Sequence, residues 1–124
     1  MQIIKIIEQV KTIKPNQYSD DMLLSWLSEL DGQVYNDLLS AYGAPAPVLP
    51  YGRAAMHEEL LIPFPYEGIY LTWLSAKIDG LNCEYERYNN DMMLYNAQLQ
   101  EFYNAYTRTH MVEKPVIIRG VKAL

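Results

Sequence analysis

Cysteine is almost missing from this chain. Cys83 is the one thiol in 124 residues, so neither an internal disulfide nor a cysteine set for zinc can form, and a reducing compartment is the simplest setting. Basic residues are scarce too. Ten Lys and Arg face fifteen Asp and Glu, a formal charge of −5, which withholds the cationic footprint that duplex DNA binding draws on. No run of about 18 apolar residues occurs, so no membrane span is expected. Met1–Val10 is rich in isoleucine but broken by Lys5 and Glu8. It lacks the basic start, apolar stretch and small-residue cleavage site of a signal peptide, so a secreted product is not expected. Glycine-rich phosphate loops, nucleophile-elbow serines and internal repeats are absent as well.

What the chain does have is apolar and aromatic mass. Half of its residues are hydrophobic, with 11 Tyr and 6 Met among them. The tyrosines keep the mean hydropathy slightly negative, at −0.16. At 14.4 kDa this is one ordinary domain, able to bury roughly two thirds of its unfolded surface.

The spacing of apolar residues predicts an all-α fold, a small bundle of about four helices with a long Pro-rich loop and an extended C-terminal tail. Ile3, Ile6, Ile7 and Val10 mark one face of a short helix that ends before Lys14-Pro15. Ser19 or Asp20 can cap a second helix. That helix runs to about Tyr42 on Leu23, Leu27, Leu30, Val34 and Leu38, with Gly32 weakening its exposed face by roughly 1 kcal/mol. Residues 43–52 hold three prolines and two glycines, which excludes a helix interior or central strand. Loops of this length are either unstructured or used for binding, and the residues do not choose. Pro65 suits the first position of a third helix.

A stripe follows: Leu71, Leu74, Ile78, Leu81, Tyr85, Tyr88, Met92, Tyr95, Leu99, Phe102 and Tyr106, at spacings of three and four. It fits one helix of roughly forty residues, about 60 Å long. It also fits two helices broken near Asn89-Asn90, with Asn90 or Asp91 as the new cap. The break is favoured, because a chain this small needs its last helix to fold back over the core. The expected division is a helical domain over 1–110 and an arm over 111–124.

Candidate sites are thin. His57-Glu58-Glu59 opens like a metal-protease motif, but position 61 is leucine and the second histidine is missing. Asp79, Glu84, Glu86 and Asp91 do not repeat on one helix face, so ordinary exposed charge is expected of them. Cys83 has no neighbouring cation in sequence to activate it and reads as a small packed hydrophobe. No enzyme activity, cofactor or metal is expected. Tyr88, Tyr95, Tyr103 and Tyr106 interleave with asparagines, which could stack on single-stranded nucleic acid. The acidic background favours packing or contact between copies instead, with phenol tips at an interface rim. In the tail, Val116, Ile117, Ile118 and Val121 accompany Arg119 and Lys122. Such a segment is either a frayed end or one that orders on a partner.

Taken in order, Pro15–Asp20, Trp26–Tyr35, Leu61–Tyr66 through Asp79, and Glu84–Asn90 through Met111 resemble the small head–tail connector (adaptor, head-completion) proteins of tailed phages and prophages. The likeness covers most of the chain and rests on order and spacing. The Pro-rich stretch at 43–50 and Gly68 depart from it. The resemblance implies a structural virion protein of the neck, made in the host cytoplasm. Roughly a dozen copies would form a ring under the portal protein and receive the next neck or tail component. Double-stranded DNA would pass through without specific binding, and an acidic wall would let phosphate slide unless Arg53, Lys77 and Arg87 lined it. The tail residues named above would grip the portal. The alternative is a small helical regulatory or protein-binding module of a mobile element, dimerising through the aromatic stripe.

Overall fold

The structure, a computed structural model, describes residues 1–110. Four α-helices form in chain order: α1 (Ile3–Ile13), α2 (Asp20–Asp37), α3 (Gly68–Leu81) and α4 (Tyr85–Thr109). Short 3-10 turns occupy Leu39–Tyr42 and Arg53–Ala55. Among the described residues no strand forms, and Gln2 and Glu59 make one isolated antiparallel bridge.

α1 buries the four residues its spacing marks, Ile3, Ile6, Ile7 and Val10. Its first N–H groups have no partner within the helix. The linker supplies carbonyls instead, with Ile3 N–H donating to Glu58 and Ile4 N–H to Met56 at 3.0 and 2.8 Å. α2 starts where a cap is available, the Ser19 hydroxyl accepting from Met22 N–H at 3.2 Å, with Asp20 and Asp21 in the first turn. It buries Leu23, Leu24, Trp26, Leu27, Leu30 and Val34. The 3-10 turn continues it to Tyr42, and Gly43 closes that end at φ 75°, a backbone that glycine adopts without strain.

Gly32 does not sit on an exposed face. It is half-buried under the loop, and a Cβ there would lie 3.5 Å from Leu49 Cδ1. The Pro-rich segment is therefore laid against α2.

α3 begins three residues later than Pro65 suggests. Pro63, Phe64 and Pro65 form an exposed turn instead, and Tyr66 N–H closes on Pro63. From Ile69 to Ile78 the helix is the axis of the bundle, in contact with α1, α2 and α4.

The stripe does break, but a heptad earlier than Asn89-Asn90. α3 stops at Leu81, and Cys83 takes φ 60° to reverse the chain into α4. Asn89, Asn90 and Asp91 lie inside α4 and cap nothing. The unbroken phase is explained by exposure: Leu81 and Tyr85, the stripe members flanking the reversal, are both exposed. α4 then folds back antiparallel on α3, setting Trp73 against Tyr95 and Tyr66 against Phe102, with ring centroids 5.0 and 5.5 Å apart. Gly80 permits the close approach near the turn, since a Cβ would meet the Tyr88 ring at 3.0 Å.

Candidate functional site

The most buried polar group is Asp31 on α2, with no solvent exposure. Its carboxylate accepts the phenols of Tyr51 and Tyr70, each at 2.5 Å, and Leu61 N–H at 3.2 Å. Tyr70 in turn accepts Ile62 N–H at 2.7 Å, and Ser28 accepts Tyr51 N–H at 2.8 Å. Burial pushes the Asp31 carboxyl above its ordinary range, against the pull of those three donors. Burial and the carboxylate beside them drive both phenols up. These hydrogen bonds pin the 43–62 segment to α2 and α3. This is a structural node.

A second cluster gathers at the α3–α4 reversal. Asp79 on α3 is 2% exposed, and its Oδ1 takes the Lys14 ammonium at 2.7 Å. Asp91 on α4 faces it, and the Oδ2 atoms of both are shut off from solvent with no other partner. Burial, then the adjacent Asp79, pushes the Asp91 carboxyl up to about 6. Burial of Asp79 works the same way but is outweighed by the contact with Asp91 and the Lys14 charge, which hold it low. The expectation of ordinary exposed charge therefore stands for Glu84 and Glu86, which are exposed, and fails for this pair. Among the described residues, no three His, Cys, Asp or Glu side chains are grouped as a metal would need.

The remaining candidates separate. His57, Glu58 and Glu59 lie exposed on the linker, where Glu59 pairs with the Met1 amino group at 2.8 Å. Cys83 is exposed rather than packed, as its turn position requires. Tyr95 is 3% exposed and inside the core, out of reach of a second copy. Tyr88, Tyr103 and Tyr106 are half-buried. Burial raises the phenols of Tyr95 and Tyr103, each to about 12, and neither hydroxyl has a partner among the described residues. Val116, Ile117, Ile118, Arg119, Val121 and Lys122 lie outside the described residues.

Two surface features were not legible as sites. An open apolar groove of about 230 Å³ runs between α3 and α4, lined by Trp73, Lys77, Leu81, Tyr88 and Met92. Lys77 lies 4.6 Å from the Trp73 ring centre and pairs with Glu29 at 3.0 Å, so its charge is already engaged. The other feature is the outer face of α4. Asn90, Met93, Leu94, Ala97 and Gln100 recur there at helical spacing, all exposed, Met93 at 72%, and the exposed Glu86 and Glu101 bound the patch. Between Arg87 and Glu101 the sequence has a single charged residue, Asp91, and that one faces Asp79.

Neither a family model, nor a curated protein, nor a solved structure matches the chain. No helix among the described residues is long and apolar enough to cross a membrane.

Proposed function

We propose that this chain is a structural neck protein of a tailed phage or prophage, a head–tail connector that assembles as a ring under the portal and continues the DNA channel. The observation that carries the reading is the outer face of α4 from Asn90 to Gln100: a lightly apolar patch without charge, bounded by the exposed Glu86 and Glu101, on a chain of net negative charge. Copies of an acidic chain repel one another over most orientations. Around Met93, Leu94 and Ala97 two copies can meet with Glu86 and Glu101 left at the rim, which favours a second copy as the occupant. A ring needs that face to meet a different surface of the neighbour, so that the contact repeats by rotation until it closes.

The polar interior agrees with a structural role. Asp31 spends all its hydrogen bonds on holding the linker, and the aromatic stripe fills the α3–α4 seam. The acidic surface suits a channel wall. Arg53 is engaged by Asp21 at 2.9 Å and Lys77 by Glu29, which leaves fewer cations to hold passing phosphate. The tail residues Val116–Lys122, aliphatic and basic, are the segment offered to the portal.

Purified chain mixed with portal rings of the same phage and sized by light scattering tests the reading. The expected result is a complex heavier than the portal by a ring of copies. A chain that stays off the portal and forms a discrete dimer would favour the regulatory module.

A further inference from the structure

We propose that Asp79 and Asp91 form a proton-sharing clasp, which fastens the first half of α4 to the body when one proton bridges the two carboxyls and lets that half loosen when the proton leaves. The inference concerns the fold of one copy and holds whatever the chain assembles with.

The geometry is of two kinds. First, both Oδ2 atoms are buried and, among the described residues, lack any other partner. Two carboxylates cannot face each other across a dry gap unless something neutralises one of them. A proton on Asp91, donated to Asp79, satisfies both oxygens at once. Second, little else polar holds α4 in place. Among the described residues, the side-chain hydrogen bonds of α4 run within the helix or to His110, and none of the ion pairs between side chains involves it. Its fastening to α3 is otherwise apolar, through Tyr95, Leu99 and Phe102 toward its middle and far end. The first half, between the Cys83 reversal and Tyr95, has the half-buried Tyr88 and Met92 and the clasp.

The charged groups around the pair come from three elements. Lys14 stands at the end of α1, Asp79 on α3, and Arg87 on α4 one turn before Asp91. The α1–α2 connection contributes the neutral Tyr18 phenol, which donates to Asn82 Oδ1 at 2.7 Å. Lys14 is already committed to Asp79 Oδ1, and Arg87 is exposed. With both acids ionised, one close cation is left for two anions.

The sign follows from the two carboxyls. Asp91 titrates higher in the folded chain than its ordinary 3.8. Its contribution is therefore fully present below about 4 and fades as the pH rises through about 6. Asp79 is held below 3.8, so protonating it at still lower pH removes its pairing with Lys14. The one-proton state occupies the interval between.

Hydrogen exchange of the full-length chain, in EDTA so that no divalent ion replaces the proton, reads the clasp directly. Rates at pH 5 and 7.5 are compared after correction for intrinsic chemistry. Peptides over residues 86–94 should lose protection by about tenfold or more at the higher pH, while those of α2 hold theirs. Asp91→Asn carries a permanent donor and should abolish the difference. An unchanged pH dependence in Asp91→Asn, or a loss spread evenly over the chain, would overturn the proposal. Should the variant not fold, carboxyl carbon-13 titration of the wild type decides. Asp79 and Asp91 signals moving together with a midpoint near 6 support the clasp, and separate midpoints at or below about 4 refute it.

Discussion

The body and α4 are held by different physics. In the body, the polar groups around Asp31 and Trp73 are paired with directional partners: Asp31 with two phenols and an amide, Tyr51 N–H with Ser28, and the Trp73 indole donating to the Trp26 carbonyl at 2.7 Å. Against α4 the fit is aromatic and aliphatic, and the hydroxyls of Tyr95 and Tyr103 are left without partners. Hydrogen bonds set one geometry, because an unmade one costs the full desolvation of each group. Apolar contact stabilises strongly while specifying position less tightly. The difference teaches that directional bonds position the linker, whereas α4 is positioned by the shape of its apolar seam.

Substitutions on the two sides should separate these regimes. Phe102→Ala empties the α4 seam beside Tyr66 and should cost about 4 kcal/mol in urea unfolding. Asp31→Ala strands two phenols and the Leu61 amide, and about 3 kcal/mol is expected. Tyr70→Phe at the same node should show a smaller loss, about 2 kcal/mol, since Ile62 N–H also loses its acceptor. Gly32→Ala should stabilise by up to about 1 kcal/mol, because its Cβ makes only ordinary contact with Leu49. Tyr95→Phe is the smallest and the sharpest test of the contrast. Its hydroxyl is buried and unpaired, so removing it should leave stability unchanged or slightly raised by less than about 1 kcal/mol. A loss comparable to that of Tyr70→Phe would show that α4 is pinned like the body.

Much of the fold was legible because apolar spacing reports the buried face of a helix directly. Ile3, Ile6, Ile7 and Val10 named the α1 face, and Ser19 or Asp20 marked the start of α2, with Ser19 making the cap. The α3–α4 reversal was misplaced for a physical reason. Asn89-Asn90 looks like a cap, but the chain reverses at Cys83, a residue that takes a left-handed φ at a cost of roughly 1 kcal/mol and carries no turn signature. The reversal point sets the register of the hairpin. With it wrong, Asp79 and Asp91 could not be seen to face each other. With Cys83 as the pivot, Gly80 meets Tyr88, Trp73 meets Tyr95 and Tyr66 meets Phe102, and the two carboxyls fall into line. Asp31 was invisible for another reason. Its partners Tyr51, Leu61 and Tyr70 are 20 or more residues away, and no periodicity encodes a contact across a loop. The tyrosine pattern was open to packing or to contact between copies, and Tyr95 packs inside the seam. The Met93 patch on α4 is conspicuous only by the scarcity of charge between Arg87 and Glu101.

The measurement that bears most directly on the account is assembly of Met93→Glu with portal rings, followed by electron microscopy and a thermal melt of the free chain. Met93 touches solvent in the isolated copy, so the melting temperature should match the wild type while the ring on the portal fails to form. A variant that builds the same ring as the wild type would contradict the claim that copies meet along α4.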